Sequence, residues 1–302
     1  MKPVFEEVNC NLCGQNDYTI IYKAKPIEDI DLAKVYSASG HDFLKEQVVK
    51  CKNCGFMYIN PRIKGDLVVK GYSDAVDPDH VSQGDGRMAT FKDGMKIISK
   101  LYPNKGKLLD VGSAGGFFVK AAEEEGWEGY GVEPSKWMVD WGKKNLGLKN
   151  FKSGTLESAK YPDNYFDVVT LWDVLEHVPD PSATLREVNR ILKPGGLVVI
   201  NYPNIGSKLA KMAGRKWWFL LSIHLYYFTP ETISKMLEKE KFTPFYYKRH
   251  WQKLALGYLF YRVEPYSKGL SKILVKAASK LGLAEKQVSY YASQALVAAR
   301  KQ

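Results

Sequence analysis

No run of about 18 apolar residues occurs in the chain, so no membrane-spanning helix is expected. The first residues, Met1-Lys-Pro-Val-Phe-Glu-Glu7, lack the apolar core of a secretory signal, and a cytoplasmic location is expected. No internal repeat or low-complexity tract is present, which excludes a repeat architecture. Cysteine is scarce, at four in 302 residues. Acids are outnumbered: 44 Lys and Arg against 33 Asp and Glu leave a net charge of +11. That excess favours anionic partners (nucleic acid, phosphorylated or nucleotide-linked molecules, an anionic membrane surface) or serves solubility alone, and it does not choose among them. The rest is an ordinary globular balance, 45% hydrophobic and 25% charged, with length enough for one large core and small appendages.

All four cysteines fall into two matching pairs, Cys10-Asn-Leu-Cys13-Gly14 and Cys51-Lys-Asn-Cys54-Gly55. Two residues between thiolates let both sulfurs face one ion, and the trailing glycine permits the left-handed turn that aims backbone N–H groups at sulfur. Cys10, Cys13, Cys51 and Cys54 would complete a tetrahedral zinc shell with no open position, so the expected Zn2+ is structural rather than catalytic. Disulfides are the rival reading, and a reducing cytosol argues against them. With β-type runs at Tyr18–Tyr22 and Glu46–Lys50 beside the knuckles, residues 1–62 are expected to form a zinc ribbon. Residues 63–104 read as a linker and leading helix: a polar, glycine-bearing loop or lid over 74–87, then a helix from Met88 to Leu101.

From Lys105 to the end, strand and helix patterns alternate, which predicts an α/β fold with a parallel sheet covered on both faces. Strands are expected at Lys107–Val111, Glu128–Glu133, Asn150–Lys152, Phe166–Trp172 and Leu197–Tyr202, then at about Phe245–Arg249 and Val288–Ala299. Two segments interrupt the alternation. Residues 204–228 form an insert rich in aromatics, among them Trp217, Trp218 and Phe219. Residues 251–287 carry Lys268, Lys272, Lys276 and Lys280 around Leu270, Ile273, Leu274 and Leu281, a basic amphipathic helix. Such a face is either solvated lysines over a packed stripe or a contact with a membrane surface.

The most informative stretch is Leu108-Leu-Asp-Val-Gly-Ser-Ala-Gly-Gly-Phe-Phe118, a strand, a glycine turn and a helix, followed by a second strand ending at Glu133. A carboxylate at that position can accept both hydroxyls of a ribose. A dinucleotide site would show Gly-x-Gly-x-x-Gly and leave a helix N-terminus bare for pyrophosphate. Here the pattern is Asp110-x-Gly112-x-x-Gly115-Gly116. Asp110 would repel a pyrophosphate but suits a cationic ligand such as S-adenosylmethionine (SAM), which carries a sulfonium, an ammonium and a ribose.

Four motifs in order resemble the Rossmann-like (class I) SAM-dependent methyltransferases: Leu109-Asp-Val-Gly-Ser-Ala-Gly-Gly116, Gly131-Val-Glu-Pro-Ser135, Phe166-Asp-Val-Val-Thr-Leu-Trp-Asp-Val-Leu-Glu-His-Val-Pro-Asp180 and Glu187-Val-Asn-Arg-Ile-Leu-Lys-Pro-Gly-Gly-Leu197. The resemblance implies a seven-stranded, mostly parallel sheet over 105–302. With Gly214-Arg-Lys-Trp-Trp218, His224-Leu-Tyr-Tyr-Phe-Thr-Pro-Glu-Thr232 and the zinc knuckles, the whole is similar to enzymes that methylate sugars or glycan precursors. Carried over by position, Gly112, Ser113 and Gly116 line the methionine part of SAM, and Asp110 orients its ammonium. Glu133 takes the ribose hydroxyls, and Pro134 and Ser135 flank the adenosine. Thr155 stands where the family commonly has an Asp for the adenine amino group, and the Leu156 N–H serves a ring nitrogen. Ala114 replaces the usual third glycine, which a negative φ would tolerate. Trp172 packs against the sulfonium or adenine, or belongs to the core.

Methyl transfer needs alignment and, for a protonated acceptor, a base. His177 and His224 are the candidates, with Tyr226 and Tyr202 behind them, and each histidine can equally be structural. Asp173 binds an acceptor hydroxyl or caps a turn. Three functions compete. The first is methylation of a small-molecule, sugar or lipid-linked glycan acceptor, with the basic helix at a membrane surface. The second is methylation of RNA through the ribbon and basic surface, though no Asn-Pro-Pro-Tyr-type motif is present. The third is a non-catalytic scaffold.

Overall fold

The computed structural model describes residues 4–25, 44–264 and 266–302, so residues 1–3 and 26–43 of the expected ribbon lie outside the described part. At the N-terminus, β1 (Phe5–Glu6) pairs with β5 (Arg62–Ile63). Between them, β2 (Tyr18–Tyr22), β3 (Val48–Cys51) and β4 (Met57–Ile59) form an antiparallel sheet. Its fourth strand, β11 (Tyr226–Tyr227), comes from the aromatic insert and pairs with β4.

The connecting segment is helical over most of its length: α1 (Gly65–Ser73), α2 (Pro78–Ser82) and α3 (Gly84–Leu101). The expected loop over 74–87 is therefore corrected. Asp77 caps α2 by accepting the His80 N–H at 2.8 Å, and Pro78 opens it. The glycines that read as breakers serve packing. A Cβ on Gly84 would meet Phe117 at 2.8 Å, one on Gly86 the Lys253 carbonyl at 2.8 Å, and one on Gly94 Trp172 at 2.9 Å. Glycine there lets α3 lie directly on the main sheet's neighbours, which offsets its low helix propensity.

The main sheet uses β6 (Lys107–Val111), β7 (Glu128–Glu133), β8 (Phe151–Ser153), β9 (Phe166–Trp172), β10 (Leu192–Pro203), β12 (Phe242–Ala255) and β13 (Gln287–Lys301). Its order is β12-β13-β10-β9-β6-β7-β8. The β10-β9-β6-β7-β8 pairs are parallel, and β13 runs antiparallel to both neighbours. Every residue of β9 but the last is buried, because helices cover both faces of the centre. Those helices include α4 (Phe117–Glu124), α5 (Lys136–Leu146), α6 (Pro181–Ile191) and α8 (Pro230–Lys239), with the short α7 (Lys208–Ala213) in the insert. Ser135, Asp180 and Thr229 supply side-chain N-caps to α5, α6 and α8.

The expected helical segment 251–287 is also corrected. Strand β12 continues to Ala255, and two helices follow, α9 (Leu256–Tyr261) and α10 (Lys268–Lys280). The apolar stripe of α10 is only partly packed: Leu274 is half-buried, but Ile273 is 67% exposed, and Leu270 and Leu281, just past the helix, are exposed beside the lysines.

Ribbon and main sheet share one core. Cys10, Cys51, Phe56 and Tyr58 belong to the same buried cluster as Leu109, Val169 and Leu171. The Arg62 guanidinium donates to Glu6, to the Pro179 carbonyl at 2.7 Å and to the Tyr226 hydroxyl at 2.8 Å. The Asn11 amide donates to Asp180 at 2.8 Å and accepts the Ser182 N–H at 3.0 Å. The ribbon thus grips the chain that leaves β9, where the acceptor end of the site begins.

Candidate active site

The parallel strands β6, β7 and β9 end on one side of the sheet, where crevices form in such folds. The turn after β6 needs its glycine: Gly112 has φ +65, and a Cβ there would meet Val174 at 2.8 Å. Ala114 also has a positive φ, +46, so the negative φ that would make alanine easy to place there is not met. The turn tolerates it because the Ala114 N–H donates to Glu133 Oε2 at 2.9 Å, while the Ser135 N–H donates to Oε1 at 2.9 Å. Asp110 accepts the Thr170 hydroxyl at 2.7 Å.

These ends open into a cavity of about 880 Å³. Asp110, Gly112, Ser113, Glu133, Pro134, Thr155, Leu156 and Trp172 line one part of it. Asp173, His177 and His224 belong to the same lining. Gly116 is the one expected cofactor residue off the lining; its φ is +82, and a Cβ there would run into Leu148 at 2.3 Å, so it serves the turn and the packing of α4. The Thr155 hydroxyl accepts the Ser158 N–H at 3.3 Å. Trp172 sits among Phe91, Phe118 and His250, with ring centroids 5.8, 5.1 and 5.5 Å away. Tyr226 is tied to Arg62 and Pro179, and Tyr202 is fully buried off the cavity, so neither faces an acceptor.

The electrostatics fit a cation. Burial pushes Asp110 up to about 7, against the opposing pull of Thr170 and Ser113, and Glu133 adds to the push. Burial likewise lifts Glu133 to about 7, against its two backbone N–H bonds. Two buried carboxylates with no cation beside them are matched by a ligand bearing positive charge and hydroxyls, and not by a pyrophosphate. SAM has those groups. Glu133 would take its ribose hydroxyls and Asp110 would face its cationic end.

At the other end, Glu176 is 1% exposed and neither carboxylate oxygen has a hydrogen-bond partner. Burial raises it well above the usual carboxylate range, and Asp173 adds to this. His177 Nδ1 lies 2.7 Å from the Tyr72 hydroxyl and 3.1 Å from the Ile223 carbonyl, and burial holds this imidazole down at about 4. His224 Nδ1 is 2.8 Å from the Phe219 carbonyl, and burial pushes it well below its ordinary value. Asp173 is half-buried, and its desolvation raises it only to about 6, against the hydrogen bond from Gln294. Asn201 and Gln294, which the sequence did not single out, bind Asp173. No local pattern marks them, since the sheet order alone brings β13 beside β10.

A methyltransferase-domain family model matches residues 86–244, more than half of the chain. The chain belongs to that family. It carries a methyltransferase domain. A ubiquinone biosynthesis O-methyltransferase from Proteus mirabilis is 33% identical over 123 residues, which cover 39% of this chain and 46% of that one. The chain spans about half the length of the curated relatives it matches. Among solved structures, YcgJ of Bacillus subtilis aligns at TM-score 0.48 and 18% identity, covering 70% of this chain and 98% of that one. Phosphoethanolamine N-methyltransferase 2 of Haemonchus contortus aligns at TM-score 0.45 and 21% identity, covering 69% and 52%.

The raised carboxylates of the methyltransferase give its cofactor binding a pH dependence of definite sign. Below pH 7 a cationic ligand must displace a proton from Asp110 or Glu133, and above it both are ionised. SAM affinity should therefore rise as pH is raised towards 7, by up to about tenfold per unit for each proton displaced, and level off above. Calorimetry from about pH 5.5 to 8.5 in buffers of different ionisation heat measures both affinity and proton release. Flat affinity with no proton release would show that these carboxylates do not meet the cation.

Proposed function

We propose that the enzyme transfers a methyl group to a hydroxyl of a small-molecule, sugar or glycan-type acceptor, lipid-linked acceptors included. The observation that carries this reading is the size of the cavity and the aromatic part of its lining. Ligand pockets run to about 300–1,000 Å³, so 880 Å³ leaves room beside the cofactor for another small molecule. Its lining includes Trp218, Phe219, Tyr258 and Tyr290, flat faces suited to a ring, together with Asp173. Relatives named as O-methyltransferases favour oxygen as the methylated atom.

When bound, SAM supplies an electrophilic methyl group. The chain's own task is to exclude water, align the acceptor and take its proton. Asp173, at about 6, is better matched to a neutral solution than His177 at about 4, and we assign it the proton. His177 and His224, held by Tyr72, Ile223 and Phe219, shape the wall and keep the Glu176 turn in place. Acceptors presented at a membrane suit the exposed stripe and lysines of α10, which is continuous through Arg262 and Tyr266 with the cavity wall. No helix among the described residues is long and apolar enough to cross a membrane. We assign Cys10, Cys13, Cys51 and Cys54 a structural Zn2+. Their sulfurs lie within 4.8 Å of one another, and the closest pairs, at 3.4 and 3.5 Å, are too far apart for disulfides of about 2.05 Å.

The test is release of S-adenosylhomocysteine with nucleotide sugars, catechols, amines, RNA and glycolipids, the last in neutral and in anionic vesicles. Turnover with a hydroxylated acceptor is expected, enhanced for glycolipids on anionic vesicles. Turnover with amines or RNA alone would overturn the reading.

A further inference from the structure

Just after β9, Asp173 has φ +54, a left-handed conformation that a residue with a side chain keeps only when its surroundings hold it. On β13, Ser293 has φ +60. It is fixed there by the Trp217 indole, which donates to its hydroxyl at 2.8 Å. The two distortions bring three side chains together. Asp173 Oδ1 accepts from Asn201 Nδ2 at 2.8 Å and from Gln294 Nε2 at 2.6 Å.

The carboxylate can only accept, so it fixes which way each amide faces. Both amides turn an N–H to Asp173, and each keeps a carbonyl oxygen. Asn201 Oδ1 and Gln294 Oε1 have no hydrogen-bond partner, although each residue is only 1% exposed. Burying an amide oxygen without a donor is unfavourable, so these atoms call for one. All three residues line the cavity. Their strands also place them beside the cofactor turn, since Val174, next to Asp173, is the side chain that a Cβ on Gly112 would strike.

A wall of a carboxylate and two amide oxygens demands donors at neighbouring positions. We infer that Asp173, Asn201 and Gln294 form a hydroxyl-reading subsite, and that the acceptor carries at least two adjacent O–H groups, as a sugar ring or a catechol does. This rests on the proposed hydroxyl acceptor and narrows it. One hydroxyl lies on Asp173 and its neighbour on an amide oxygen. As the first oxygen bonds to the methyl carbon and the carbon–sulfur pair stays on sulfur, its proton passes to the Asp173 carboxylate. Asn201 and Gln294 are positioning and specificity residues: they hold the neighbouring hydroxyl, which is not methylated, and they aim Asp173.

The subsite is tested on the full chain loaded with S-adenosylhomocysteine, comparing catechol with phenol, and methyl glucoside with its 2-deoxy analogue. At least one diol should bind about tenfold or more tightly than its partner lacking a hydroxyl, because a site built to receive a hydroxyl rejects the analogue without it. Gln294→Met and Asn201→Leu, close in shape, should erase that preference and raise the diol's KM more than they lower kcat. Their affinity for S-adenosylhomocysteine should stay within about twofold, which also shows that they fold. If Asn201→Leu does not fold, Gln294→Met decides alone. Equal binding of diol and deoxy analogue, or a preference that survives Gln294→Met, would overturn the subsite and leave the hydroxyl acceptor standing. So would failure of both diols to bind while other hydroxylated acceptors turn over. Turnover with amines alone would overturn both readings.

Discussion

Replacing Cys51 by serine is expected to unfold the ribbon and to abolish methyl transfer while leaving the cofactor turn able to form. A structural zinc contributes apparent binding energy of about 10–16 kcal/mol, comparable with the whole net stability of a domain at about 5–15 kcal/mol. Burial raises the Cys10 thiol and takes Cys54 up to about 11, so these two are held as thiolates only with a cation beside them, while against burial the hydrogen bonds of Asn53 and Gln15 bring Cys13 down to about 7. The loss would not stay local. Phe56 stacks on Tyr226 at 5.6 Å, and the Leu225 N–H donates to the Glu176 carbonyl at 2.7 Å. Melting the ribbon therefore releases β11 and the turn that holds Glu176 and His177. Metal content, the thermal midpoint and turnover check this together. Cys51→Ser with one zinc still bound, or with an unchanged midpoint and rate, would remove the structural role from this cluster.

The cofactor half of the site was legible because its constraints are local in sequence. A glycine turn with φ +65 at Gly112 and an acid ending the next strand are written within about two dozen residues of each other. Strand β9 was legible for a similar reason, since its six consecutive buried residues, Phe166–Leu171, leave a mostly apolar run broken only by Asp167 and Thr170. What escaped was set by distant packing. Gly84 and Gly86 carry the signal of a loop, and only the closeness of Phe117 and Lys253 makes them helical. The φ of Ala114 could not be read locally, because two backbone N–H bonds to Glu133 hold the turn with Ala114 at positive φ. Asn201 and Gln294 lie 93 positions apart and meet only because β13 inserts beside β10 in the sheet. The stripe of α10 shows a periodicity that fits a packed face or a free one, and only the exposure of Ile273 separates them.

Glu133→Ala should weaken SAM binding by about a hundredfold. The carboxylate holds the Ala114 and Ser135 N–H groups at 2.9 Å each and is assigned the ribose hydroxyls. Hydrogen bonds to a charged group are worth about 1.5–3 kcal/mol, so losing two costs roughly 3 kcal/mol, or about a hundredfold in affinity. Glu133→Gln keeps one acceptor oxygen and should fall between the two. Stability should move the other way. Burial raises Glu133 to about 7 in the folded protein, above the usual value of about 4.3 in an unfolded chain. Between those values the folded state holds more protons, so its stability falls as pH rises from about 4 to 7 and is flat above. Glu133→Gln removes that contribution, and its thermal midpoint without cofactor should gain on the natural protein across the same window. A binding defect caused by misfolding would lower affinity and midpoint together. Weaker binding with an equal or higher midpoint above pH 7 instead marks a carboxylate kept at some cost to the fold because the cofactor needs it there.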